Sequence, residues 1–139
     1  MITLEEFVER LCRVGADRGP RSFPRSGRDR EIMMLSIALS LDSGRSYTER
    51  EINDALNVWR RDVAPAIDID HVTLRRSLVD YGRLERTADG RAYRVGFPPR
   101  AVAFDLRIYD VDLPATVAAY QEHASKKREA GKARAKRGG

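Results

Sequence analysis

Leu4, Phe7, Val8 and Leu11 recur at i, i+3, i+4 and i+7, which predicts an amphipathic first helix within "TLEEFVERLCRV". Thr3 stands three residues before Glu6, the spacing at which hydroxyl and carboxylate each satisfy an orphan backbone donor. "GADRGPRSFPRSG" then interrupts the period with Gly, Pro and Ser, so a linker follows. In "DREIMMLSIALSL", Ile32, Leu35, Ile37, Leu39 and Leu41 surround the helix axis and predict a buried central helix that stops before Gly44.

In "YTEREINDAL" a second capping pair, Thr48 and Glu51, precedes Ile52, Ala55, Leu56 and Trp59 at helical intervals. Pro65 ends that pattern, and Asp70 can cap a further helix, "HVTLRRSLVDYG", closed by Gly82. Leu74, Leu78 and Tyr81 share one side of it. Thr73, Arg76, Ser77 and Asp80 share another, with Arg75 between.

"RLERTADGRAYRV" holds two short runs around Asp89-Gly90, a dipeptide suited to a tight hairpin turn, with Leu84, Tyr93 and Val95 as the apolar side. Three helices and a hairpin predict an α+β, winged-helix-like domain with an extra N-terminal helix. Val102, Phe104, Leu106 and Ile108 alternate with less apolar residues and predict an added strand able to pair with the hairpin. Asp112 and Pro114 then open a C-terminal helix, with Val117 and Tyr120 packing on the body. The expected organisation is a helix in 1–19, a winged-helix-like unit in 20–96, a strand and helix in 97–125, and a basic, disordered tail in 126–139.

Charge changes this picture only at one end. The chain of 139 residues carries a net +5, but Lys126 to Gly139 alone holds seven basic residues and one acid, so the preceding body is nearly neutral. A basic tail, not a uniformly basic surface, is what the total implies. One cysteine, Cys12, and two distant histidines, His71 and His123, leave no metal-ligand spacing, and no common nucleophile or phosphate-loop motif is present. No cofactor or metal and no catalytic residue is expected. The acidic amphipathic N-terminus and the absence of a long apolar run predict a cytoplasmic protein with no membrane partner.

The stretch from about Phe23 to Val95 resembles a bacterial family of unknown function through "FPRSGRDREIMML", "YTEREIN", "LRRSLVDYGRLERTADG" and "RAYR". Members of that family commonly form the C-terminal part of helix-turn-helix transcriptional regulators or stand alone. The resemblance implies a winged-helix-like fold and a role connected with transcription, and it brings no reaction, ligand or DNA site. One departure is the link "RRDVAPAIDI", which is longer than the family's short connection and bears on how the following helix sits.

Candidate nucleic-acid contacts follow from these elements. Thr73, Arg76 and Ser77 can face the major groove, where Arg pairs bidentately with guanine; a solvated face is the other reading, which Asp80 favours by repelling phosphate. Arg83, Arg86, Arg91 and Arg94 of the hairpin can hold phosphates, although strand alternation keeps all four from one face. Lys126, Lys127 and Arg128 can add salt-sensitive, non-specific attraction. Arg75 is expected to fasten helices by pairing with Asp80 or Glu51. His71 reads as a helix-start residue, Cys12 as a buried thiol, and Tyr47 and Trp59 as core. The expected function is transcription-associated DNA binding without catalysis. The alternative is a protein-interaction module, with a homodimer or another protein as partner.

Overall fold

Thr48 shows how local chemistry sets the architecture: its side chain accepts from the Glu51 amide while the Glu51 carboxylate accepts from the Thr48 amide, closing both halves of the capping box. This start belongs to one of five α-helices that, with a three-stranded antiparallel sheet, form an α+β fold in the computed structural model, which describes residues 1–138, with side chains through 136. The elements are α1 (Leu4–Gly15), α2 (Gly27–Leu39), β1 (Tyr47–Thr48), α3 (Glu49–Asp62), α4 (His71–Tyr81), β2 (Leu84–Arg86), β3 (Ala92–Val95), a 3-10 turn (Leu106–Asp110) and α5 (Leu113–Gly138).

The central helix is α2, in which every residue from Ile32 to Ile37 is buried. Its one polar member there is satisfied: Ser36 donates to the Met33 carbonyl at 2.7 Å and accepts from Trp59 Nε1 at 3.0 Å. Phe7 and Leu11 of α1, Ile52, Leu56 and Trp59 of α3, and Leu74 and Leu78 of α4 close around it, and Tyr47 joins the same core. Cys12 is buried there as well, and that burial pushes its thiol up to about 11.

In the sheet β3 lies between β1 and β2, with Tyr47 opposite Tyr93, Leu84 opposite Val95, and Glu85 opposite Arg94. The two-residue strand β1 escaped the sequence pattern because it coincides with the start of α3. The hairpin turn is looser than a two-residue Asp-Gly turn. Gly90 donates its amide to the Thr87 carbonyl at 2.9 Å, and Gly90 alone in the turn takes positive φ, +73°. Asp89 accepts from the Thr87 hydroxyl and the Arg91 amide, hydrogen bonds that hold its carboxyl below the usual range.

Three expectations need correction. At the Thr3 cap only one half forms, because the Glu6 carboxylate is taken by Arg28 of α2 and by Arg10 one turn further along α1. Residues 102–109 make no hairpin-paired strand: Phe104 forms a single parallel bridge with Ile2, and Asp105 then caps the 3-10 turn by accepting from the Arg107 amide. Four apolar alternations cannot distinguish a strand from such a segment, in which Ile108 is buried and Leu106 exposed. The tail expected to be disordered continues α5, with Gly139 outside the described residues. Alanines, lysines and arginines favour helix even without an apolar stripe, and Lys126 pairs with Glu122 one turn earlier at 3.0 Å. The long link between α3 and α4, for its part, is packed into the body. Val63, Ala64, Ala66 and Ile67 are buried, and Arg21 bonds the Ala66 carbonyl and the Asp68 amide on either side of Ile67, both at 2.8 Å.

Candidate nucleic-acid interface

The firm link delivers Asp70 to the start of α4, where its carboxylate accepts from both the amide and the hydroxyl of Thr73 at 2.8 Å. These bonds, the amide's first, hold the Asp70 carboxyl below its ordinary value and fix the orientation of the helix start. Leu74 and Leu78 point into the core, so Thr73, Arg76 and Asp80 are left on the exposed side, with Ser77 half-buried beside them. Thr73 is therefore partly engaged in its own cap. Arg76 makes no ion pair among the described residues.

Arg76 borders a polar concavity of about 390 Å³ between α4, the first turn of α3 and the hairpin, shared with Arg75, Arg86, Tyr93 and the acids Glu49 and Asp80. Arg75 forms its inner wall. Its guanidinium donates to Asn53, lies 3.0 Å from Glu49 and stands over the Tyr93 ring at 5.7 Å. The expected fastening role is present, but Asp80 and Glu51 are not the partners. Glu51 is held by Thr48 and Arg45, and the Thr48 amide, foremost, keeps its carboxyl below the usual range.

The hairpin arginines separate into four environments. Arg86, opposite Tyr93 in register, turns toward α4 and leans over Gly90. Arg94 points to the other face of the sheet, where it pairs with Glu85 at 3.6 Å. Arg91 is exposed on the turn.

Arg83 is not on the surface at all: it is 5% exposed, and its Nη2 lies 3.8 Å from Glu31. The cause is the way α4 ends. Gly82 takes φ +85°, its amide bonds the Val79 carbonyl, and the next amide, from Arg83, bonds the Leu78 carbonyl. That pattern aims the residue after the glycine inward, at a position usually held by an apolar side chain packed on the last turn. The Gly82 stop signal could have revealed this burial from the sequence.

Lys126, Lys127 and Arg128 are exposed on α5, which packs on α1 and α3, so they do not join the concavity. The structure thus brings together Arg76 and Arg86 with Arg75. It leaves Arg91, Arg94 and the α5 cations elsewhere and withdraws Arg83 altogether. His71 begins α4 with no metal-binding cluster around it, since no three histidine, cysteine, aspartate or glutamate side chains gather to hold an ion among the described residues. Nor is any helix among them long and apolar enough to cross a membrane.

No curated protein and no solved structure matches the chain significantly. A family model described as "Uncharacterized protein conserved in bacteria (DUF2087)" matches residues 21–95. The matched segment runs from the strand bridge at Arg21 to the last residue of β3 and contains α2, α3, α4, the whole sheet and every residue of the concavity. Since it spans more than half of the chain, the chain belongs to this bacterial family.

Proposed function

We propose that α2, α3, α4 and the hairpin act as a winged helix that binds duplex DNA in a role connected with transcription, without catalysing a reaction. The observation that carries this reading is Arg76, exposed on α4 and without an ion-pair partner among the described residues, beside Arg86 of the hairpin. A helix with a free guanidinium can enter the major groove and pair bidentately with guanine, while Arg86, Arg91 and the α5 cations hold phosphates. Thr73 and Ser77 flank Arg76 on the same helix. A lone buried cysteine without a disulfide partner fits the cytoplasm.

The test is selection from a random duplex pool with the full chain, with a chain ending at Ser125 and with Arg76→Ala, over a range of salt. Both wild-type chains are expected to enrich one sequence, with the shorter chain less salt-sensitive because fewer counterions are released. Arg76→Ala is expected to lose about 1–3 kcal/mol of base discrimination. Loss of all binding with the α5 cations, and enrichment by neither chain, would falsify the DNA reading.

Glu49 and Asp80 favour a second reading, a protein-interaction module, because a concavity of mixed sign on a nearly neutral body suits a charged protein surface better than a polyanion. In that case the selection yields nothing, and Arg76→Ala weakens capture of a protein partner.

A further inference from the structure

A second hollow, outside the concavity and sharing no residue with it, opens beside Arg83. Leu35 and Leu39 of α2, Val95 of β3, and Phe97, Phe104 and Tyr109 line a groove of about 380 Å³, a size within the range of small-molecule sites, roughly 300–1,000 Å³. The apolar wall is left open to water: Phe97 is 74% exposed and Tyr109 60%. Arg83 is the cationic group on this wall.

Arg83 is poorly supplied with partners. Its side chain donates no hydrogen bond among the described residues, Nε is buried without an acceptor, and the 3.8 Å approach to Glu31 is beyond hydrogen-bonding range. Glu31 Oε2 is likewise without a donor. A guanidinium has five N–H donors in a fork that matches a carboxylate, and burying it unpaired is unfavourable. Arg75, also largely withdrawn from water, has Asn53, Glu49 and Tyr93 around it. Asp42, also on the groove, spends Oδ1 on the Gly44 amide of its own loop.

We propose that this groove binds a small amphipathic carboxylate, its apolar body along α2 and against Phe97 and Phe104, and its carboxylate accepting hydrogen bonds from Arg83. A monoanion suits the site because Glu31 already offsets part of the Arg83 charge. The groove is bounded by the residue that joins α4 to β2 and by the last residue of β3, whose neighbour Gly96 donates to the Arg83 carbonyl at 2.8 Å. Occupancy therefore grips the junction of α4 and the hairpin. The inference does not depend on DNA binding.

The experiment is calorimetric titration of the full chain with octanoate and 3-phenylpropanoate, against octanamide and octylamine of the same apolar length. The carboxylates are expected to bind at least about tenfold more tightly than the amide, the ratio a single charged hydrogen bond supplies, and the amine not at all. Arg83→Met is expected to abolish the preference for carboxylate over amide, and Glu31→Gln to strengthen carboxylate binding by removing the competing anion. Should Arg83→Met fail to fold, Glu31→Gln and the groove-filling Ala38→Trp still decide, the latter by eliminating binding of every probe. The proposal is overturned if neither carboxylate binds at millimolar concentration, if octanamide binds as tightly as octanoate, or if carboxylate binding survives Ala38→Trp.

Discussion

The polar concavity and the apolar groove share no residue, and each has an arginine withdrawn from water at its wall. In the concavity Arg75 is enclosed by an amide, a carboxylate and an aromatic face, and ties α3, α4 and β3 together. In the groove Arg83 has, among the described residues, only the distant Glu31. The same side chain is structural glue in the first region and an unfilled donor in the second. Burial alone therefore says little about an arginine's role; the number of acceptors within reach decides it.

The largest expected effect that separates the two is on stability. Arg75→Met removes a hydrogen bond to Asn53 and the contact with Glu49, and is expected to lower unfolding free energy by about 2–3 kcal/mol in urea denaturation. A loss below about 0.5 kcal/mol, the range of ordinary surface changes, would place Arg75 among solvated side chains and erase the comparison. Gly90→Ala comes next, at about 1 kcal/mol, because Gly90 holds positive φ and an added Cβ would stand 2.5 Å from Arg86 Nη2. It should also displace Arg86 and weaken whatever the concavity binds. Unchanged stability and binding would show that Arg86 is not held there.

The paired change Arg83→Met with Glu31→Gln should leave stability unchanged or raise it by up to about 1 kcal/mol, since an ill-matched buried ion pair is replaced by an apolar contact and a neutral amide. A marked loss in thermal denaturation would make Arg83 as structural as Arg75. Burial also depresses the Arg83 guanidinium from its ordinary value, in keeping with a cation short of partners.

The smallest effect concerns Glu51, whose lowered pKa, owed first to the Thr48 amide, means that folding favours its charged form. Its stabilisation is full above its ordinary value of 4.5 and fades as pH falls through the lower folded value. Wild type should exceed Glu51→Gln in melting temperature at pH 7, with the gap narrowing toward pH 3. A gap that widens on acidification would reverse the assigned sign.

Much of the frame was legible in the chain because its signals are short-range. Thr48 with Glu51, Asp70, Gly82 and Asp112 each act within a few residues, and each marks a helix end where the structure has one. The Leu74 and Leu78 stripe likewise separated the buried and exposed sides of α4. Less was legible where a pattern was brief or a partner lay far away. The alternation around Phe104 suited a strand, yet Ile2, more than a hundred residues earlier, supplied its bridge. Absence of large apolar residues suggested disorder from Lys126 onward, whereas helix propensity, with the Lys126–Glu122 pair, carries α5 to Gly138.

By itself, then, the sequence determined where α3, α4 and α5 begin and where α4 stops, which stripes become core, and that α4 presents Arg76 outward, since capping and periodicity are properties of neighbouring residues. Only the tertiary structure decided that the inward-turned Arg83 meets Glu31, that Arg75 meets Asn53 and Glu49, and that Phe97 and Phe104 form one wall with α2. Those outcomes depend on residues from separate elements meeting in space, and local spacing does not encode such a meeting.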